Sequence, residues 1–287
     1  LGLLGPNGAG KTTAINMLTT LLDIDRGSAS VAGFDVGTQP DLVRQVIGLA
    51  GQSAAVDDLL TARQNLTLFG RLYKIPKDVL GRRVDDLIDR FEMNEFADRV
   101  AGTYSGGQRR RLDVVASLVA APPALFLDEP TTGLDPRSRA GLWNEIRSLA
   151  ANGTAIVLTT QYLDEADRLA DEIVIIDRGT TVASGSAAEL KRDLERDVLE
   201  VHFASPPEVD AAIRVLTDAT GECKAGREQN MLTIPVHDGS RSSLDVLRRL
   251  DGAGIPLVDF QLRRPTLDDV FLTITEGGEQ LEERNAG

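Results

Sequence analysis

The chain has 287 residues, 42% of them apolar, which suits one large domain with a small companion and a sizeable core. A formal net charge of −13 argues against general binding to nucleic acid, whose phosphates demand a clustered basic surface. The single cysteine, Cys223, excludes an internal disulfide framework and a cysteine-only zinc site, and reads as a bystander.

No apolar run approaches the roughly 20 residues needed to cross a bilayer, and no signal peptide is visible. The chain opens at Leu1, without methionine and already inside a strand pattern. The start of its first domain is therefore expected upstream, in an intracellular protein. In chain order, Leu1–Leu4 predicts a strand, followed by a glycine-rich loop and a helix from about Lys11 to Leu22. Short strands are predicted at Ser28–Ala32 and Ile47–Ala50. From about Leu60 to Arg99 the period becomes helical, with Leu66, Phe69 and Tyr73, then Val84, Leu87, Ile88 and Phe91. This predicts an inserted helical subdomain over about 60–120.

A strand–helix rhythm then returns: strand Ala124–Asp128, helix Pro136–Ala151, strand Thr154–Thr159, helix Leu163–Leu169, strand Glu172–Asp177. Such alternation predicts an α/β domain over 1–192 with a mainly parallel sheet. The charged segment Lys191–Asp197 leads to a small α+β domain over 198–275. Its predicted strands are Val198–Ala204, Met231–His237 and Ile255–Leu262, with helices at Pro207–Asp218 and Ser240–Leu250. The polar, acidic tail 276–287 is expected to be disordered.

Three motifs carry chemistry. Gly5-Pro6-Asn7-Gly8-Ala9-Gly10-Lys11-Thr12 fits G-x-x-x-x-G-K-[ST], a loop whose backbone N–H groups fold around a phosphate chain. The helix behind it adds the positive end of its dipole. Lys11 is expected to reach the β- and γ-phosphates, and the Thr12 hydroxyl to bind Mg²⁺. Leu125-Phe126-Leu127-Asp128-Glu129 is an apolar strand ending in two acids, at the carboxyl end of a parallel sheet where ligands of such folds bind. Asp128 is expected to hold Mg²⁺, and Glu129 to polarise the attacking water. Ser105-Gly106-Gly107-Gln108 precedes a helix and reads either as a capped helix start or as a second anion site serving a partner's nucleotide. His202 and His237 fall in the second domain and read as ordinary strand residues.

These motifs, with Gln52 between the first and the third and Gly133-Leu134-Asp135-Pro136 after the acids, stand in the order seen in ABC ATPases. Ser105–Gln108 resembles that family's signature and Gly133–Pro136 its D-loop, and the resemblance covers roughly residues 1–192. It implies a P-loop ABC ATPase fold, ATP and Mg²⁺ as cofactors, and two copies pairing head to tail around two nucleotides. Thr13 and Asp135 join the implied nucleotide-binding residues, and Gln52 is implied as a Mg²⁺ contact that links ATP to the transmembrane partner. Gln161 occupies the switch position where the family usually has histidine; its amide can bond a γ-phosphate but cannot become a cation. The adenine-stacking aromatic common in the family is expected upstream of Leu1.

Gln161-Tyr162-Leu163-Asp164-Glu165-Ala166-Asp167 and Arg263-Arg264-Pro265-Thr266-Leu267-Asp268-Asp269-Val270-Phe271-Leu272 resemble the daunorubicin/doxorubicin-resistance type. In the second, Pro265 and Thr266 can start a helix that Val270 and Phe271 dock, either for packing or as a regulatory contact. The resemblance implies the ATP-hydrolysing subunit of an exporter of a drug- or antibiotic-like compound, peripheral at the cytoplasmic membrane face, with a separate integral permease and no nucleic acid. One alternative is a soluble ABC ATPase acting on the ribosome or nucleic acid, against which one cassette and a short helical insert speak. The other is a nucleotide-gated regulatory subunit of low turnover, which Gln161 favours and Glu129 opposes.

Overall fold

In chain order the first strands and helices are β1 (Gly2–Leu4), α1 (Lys11–Leu18), β2 (Ser30–Val31), β3 (Phe34–Asp35), α2 (Pro40–Val46) and β4 (Ile47–Ala50). The helical insert follows as α3 (Ala62–Leu72), α4 (Lys77–Arg90) and α5 (Gly106–Ser117). Then come β5 (Ala124–Asp128), α6 (Pro136–Ala151), β6 (Ala155–Thr160), α7 (Leu163–Leu169), β7 (Ile173–Asp177) and β8 (Thr180–Gly185). The computed structural model describes residues 1–51, 55–192, 194, 197–220, 224–226, 230–236 and 239–271. By internal contacts the chain divides into Leu1–Ala187 and Ala188–Gly287.

The first unit is built on a six-stranded sheet in the order β4-β5-β6-β1-β7-β8, parallel except for β8. β5 is buried along its whole length, as an unbroken apolar run between parallel neighbours must be. This sheet, with helices packed on it, is the expected α/β architecture. In the helical insert, a capping box between Thr61 and Gln64 starts α3. Leu66 of α3 packs with Leu80, Val84, Leu87 and Ile88 of α4 and Leu112 and Val115 of α5. Phe96 and Tyr104 close that core edge to face, with ring centroids 5.0 Å apart.

Several elements differ from expectation, each for a local reason. α1 stops at Leu18 rather than Leu22, because Thr20 turns left-handed (φ 64°) and the Leu21 and Leu22 N–H groups fold back to the Asn16 carbonyl. Ser28–Ala32 yields only β2, since Ala32 and Gly33, with φ of 51° and 86°, reverse the chain into a ribbon with β3 outside the main sheet. The same chemistry at Arg178 and Gly179 creates the unforeseen β8. Pro40 and Asp41 open α2, another element the apolar pattern does not reveal.

The second unit contains α8 (Ala187–Arg192, crossing its boundary), β9 (Asp197–His202), α9 (Pro206–Thr220), β10 (Lys224–Gly226), β11 (Met231–Val236), α10 (Gly239–Gly252) and β12 (Asp259–Arg263). Its antiparallel sheet runs β10-β11-β9-β12. Leu199, Val201, Leu232 and Ile234 pack against Val209 and Ala212 of α9 and Val246 and Leu250 of α10. The last strand begins at Asp259, not Ile255, because Gly254 (φ 70°) and the Ile255 N–H bond to Leu250 first close α10. His202 is an ordinary strand residue, paired across to Met231 and Asp259. His237, Cys223 and the tail 276–287 lie outside the described residues. Among the described residues no helix is long and apolar enough to cross a membrane.

The Arg263–Leu272 motif, whose Leu272 lies outside the described residues, gains a concrete packing basis over Arg263–Val270. Arg263 donates to Glu200 at 2.6 Å and forks onto Asp269 at 2.6 and 3.1 Å. Asp269 also accepts the Thr266 N–H and hydroxyl, and Leu267 and Val270 are buried behind it. Burial alone would raise the Asp269 pKa, but the bonds from Arg263 and Thr266 outweigh it and hold the carboxyl below its usual 3.8. A depressed carboxylate stabilises the fold above its unfolded pKa and loses that contribution as pH falls through the folded value. Asp269→Asn is therefore expected to lower the thermal midpoint at neutral pH, with the gap to the parent closing below about 3.8. A gap that stays constant down the acid range would show that the Asp269 charge does not hold this motif.

Candidate nucleotide site

The loop after β1 is shaped by glycines at the positions that need them. Gly8 and Gly10 have φ of 83° and 107°, and a Cβ on Gly5 would stand 2.2 Å from the Ile176 carbonyl oxygen. Gly10 is the N-cap of α1 and offers no side-chain acceptor, and the first turn holds no acid. The N–H groups of that turn are thus left for an anion. Lys11 is buried, and its ammonium donates to the Gly5 and Pro6 carbonyls at 2.8 and 3.0 Å. Burial pushes its pKa down, while Glu129 and Asp128 nearby oppose the shift.

Asp128 arrives from the end of β5 and is buried. Its Oδ2 accepts the Thr12 hydroxyl at 2.9 Å, and its Oδ1 accepts the Thr159 hydroxyl. Glu129 follows in a left-handed conformation (φ 50°), its N–H donating to Thr159 Oγ1 and the Thr159 carbonyl at 3.0 and 3.1 Å. Its carboxylate accepts the Thr132 hydroxyl at 3.2 Å. The phosphate loop from Asn7 to Thr13 and the group Arg110, Asp128, Glu129 and Thr132 enclose a cleft of about 550 Å³.

Arg110 was not singled out from the sequence. It donates to the carbonyls of Gly51, Asp128 and Pro130 and pairs with the buried Asp113 at 3.1 Å. Burial lowers its pKa, with Asp113 and Asp128 acting in opposition. Asp113 in turn accepts the Ala55 N–H at 3.0 Å, and burial raises its pKa against that bond and Arg110. The run Arg109-Arg110-Arg111 was the available signal, but only a folded helix decides which of the three turns inward.

The other predicted site residues lie elsewhere. Ser105 and Gln108 form a reciprocal capping box at the start of α5, and Asp135 caps α6 through the Arg137 and Ser138 N–H groups. The Ser138 bonds hold the Asp135 carboxyl below its usual pKa. Ser105, Gly107, Gln108 and Asp135 line a separate cleft of about 680 Å³ and none of them lines the first. Gln161 is exposed just past the end of β6 and does not line the first cleft either. Gln52 lies outside the described residues, between Gly51 and Ala55. Among the described residues no group of three or more His, Cys, Asp or Glu could hold a metal by itself.

The family described as ABC transporter matches residues 1–132, and that described as ATP-binding protein DrrA1-3-like, C-terminal domain, matches residues 185–275. The chain is 49% identical over 275 residues to a daunorubicin resistance ATP-binding protein of Streptomyces coeruleorubidus, covering 96% of this chain and 85% of that protein. It is 45% identical over 278 residues to a doxorubicin resistance ATP-binding protein of Mycobacterium tuberculosis, covering 96% and 84%. A Nod factor export ATP-binding protein of Ralstonia nicotianae is 35% identical over 281 residues, covering 96% and 84%. Among solved structures, an ATP-binding subunit of an ABC transporter matches with a TM-score of 0.61 at 28% identity, covering 67% of this chain and 80% of that one. A dimeric ATP-binding cassette bound to ADP and Pi shares the fold, with a TM-score of 0.59 at 22% identity, covering 64% and 84%. Motif order, parallel sheet and relatives agree: the chain belongs to the ATP-hydrolysing subunits of ABC transporters, with a C-terminal domain of the daunorubicin/doxorubicin-resistance type.

Proposed function

We propose that the cleft between the Asn7–Thr13 loop and the Asp128–Glu129 pair binds Mg-ATP, and that its hydrolysis powers export of a drug- or antibiotic-like compound. The observation that carries the reading is the Thr12–Asp128 contact of 2.9 Å, a hydroxyl and a carboxylate meeting where the phosphate loop ends. Thr12 and Asp128, directly or through water and with Gln52 as a further ligand, would hold Mg²⁺, which neutralises phosphate charge when bound. The glycine loop and the uncapped start of α1 receive the phosphates, and Lys11 contributes its charge to the β- and γ-groups. Glu129 orients and polarises the attacking water, and the Gln161 amide, exposed and outside the cleft lining in the structure, would bond the γ-phosphate without titrating once ATP is bound.

The active form is a homodimer in which Ser105, Gly106, Gly107 and Gln108, with Asp135, serve the partner's nucleotide. Their separation from their own chain's phosphate loop supports this, because one chain then holds two half-sites. An integral membrane permease is the second partner, at the cytoplasmic face of the membrane. Leu59, Leu72, Tyr73 and Val79 of the helical insert and its entry are exposed apolar side chains suited to such a contact. The cargo class follows from relatives named for daunorubicin and doxorubicin resistance.

Three measurements test the reading. Lys11→Ala is expected to weaken ATP affinity by about tenfold or more, because a charge facing the phosphates is lost; an unchanged Kd would remove the phosphate loop from its role. Glu129→Gln is expected to slow hydrolysis by about 10²–10⁴-fold with binding retained and a nucleotide-bound dimer trapped. Near-parent turnover there would take water activation away from Glu129. Finally, Lys11→Ala and Ser105→Arg each spoil one half of a shared site, so mixing the two inactive proteins should partly restore turnover. No recovery at any ratio would overturn the shared site.

A further inference from the structure

Glu165 has no exposed surface and does not line the nucleotide cleft, although its charge acts on Arg110 there. It lies on α7, four residues after Gln161. Its Oε1 accepts the indole N–H of Trp143, on α6, at 2.9 Å. Its Oε2 is buried without a hydrogen bond, and so is the hydroxyl of Thr131, in the loop that joins Glu129 to Asp135. Buried polar atoms are rarely left unpaired, so two of them in one place call for a reason. The pair is complementary: a threonine hydroxyl can donate to a carboxyl oxygen, and a protonated carboxyl can donate back.

The helices on either side are tied twice more. Arg139 of α6 lies 4.7 Å from the centroid of the Tyr162 ring, and Arg168 of α7 lies 5.1 Å from the Trp143 ring. α6 starts behind its cap Asp135, and α7 starts behind Tyr162, the neighbour of Gln161. The starts of two clamped helices therefore carry the D-loop residue and the switch residue. Thr160, buried at the end of β6, binds the Tyr162 N–H at 2.9 Å and extends the same contact set to the strand. Burial pushes the Glu165 pKa up, and the Thr160, Trp143 and Thr131 groups beside it oppose that rise.

We infer that Glu165 is a positioning residue: through Trp143 and Thr131 it holds the Glu129–Asp135 loop and the Gln161 loop in one arrangement. It is fully buried and does not line the nucleotide cleft, so its effect falls on the rate of the chemical step and not on ATP binding. The inference rests on the reading of Glu129 and Gln161 as groups acting at the γ-phosphate. A carboxyl that only helps the chain fold would move stability or affinity instead.

The test measures ATP turnover, KM, nucleotide affinity and thermal midpoint for the full chain and four variants. Glu165→Ala is expected to lower kcat by about tenfold or more, the size of effect misplacement brings, with KM and affinity near the parent's. Glu165→Gln should keep most of the turnover, because its amide accepts from Trp143 and donates to Thr131. Trp143→Phe should lower kcat in the same direction by a smaller factor, and it carries the test if Glu165→Ala does not fold. Parent-like kcat in Glu165→Ala or in Trp143→Phe overturns the inference, as does kcat lost together with affinity. Glu165→Gln as slow as Glu165→Ala overturns it too. Glu129→Gln, run alongside, separates the two readings. If it is slow while Glu165→Ala is unchanged, only the inference falls; if it turns over normally, the catalytic reading falls with it.

Discussion

The hydrogen bond from Thr12 to Asp128 spans 116 residues of chain, and the geometry of the nucleotide cleft depends on it. It joins the first turn of α1, reached from β1 through the phosphate loop, to the end of β5, and β1 and β5 are not neighbours in the sheet, since β6 runs between them. Thr159 of β6 stands in register with both Leu3 and Asp128 and supplies the missing link. Its hydroxyl donates to the second oxygen of Asp128 and receives the Glu129 N–H. The buried carboxylate is thereby satisfied on both sides, as a charge removed from water must be. Glu129 can then hold a left-handed backbone conformation that costs energy in isolation, because two bonds to Thr159 define it.

Arg110 fixes the other wall of the cleft. A guanidinium so deeply placed loses hydration, and it is retained because Asp113 neutralises it while three carbonyls accept further N–H groups. Those carbonyls belong to Gly51, Asp128 and Pro130, so a single side chain ties the end of β4, the end of β5 and the start of α5 together. The lining of the cleft therefore comes from segments that never meet in sequence, and a shift in α5 is felt at Asp128. The capping box at Ser105 anchors the first turn of that same helix, linking the second cleft to the first through one rigid element.

Much of this was legible in the chain before it folded. Gly5–Thr12 between a strand and a helix, an apolar strand ending in Asp128 and Glu129, and a serine cap before two glycines each follow from local chemistry. Glycine conformation, capping and strand burial are properties of a few adjacent residues, which is why these motifs and the strand–helix alternation could be read directly. The turns at Ala32-Gly33 and Arg178-Gly179 were less legible, because a non-glycine residue at positive φ leaves little trace in sequence.

What tertiary structure alone decided is which distant groups meet. Nothing in the order of residues tells that Arg110, of three consecutive arginines, turns toward Asp128, or that Trp143 meets a buried Glu165 under the loops bearing Asp135 and Gln161. The sequence left Ser105–Gln108 with two readings, a cap or a second anion site, and it is the fold that puts Ser105, Gly107 and Gln108 on a cleft that Lys11 does not line. The reason is physical. Local sequence sets backbone conformation and the alternation of buried and exposed faces, whereas pairing among buried polar groups depends on sheet order and helix packing. The loop, the caps and the acids were determined by sequence, and their distances to one another by the fold.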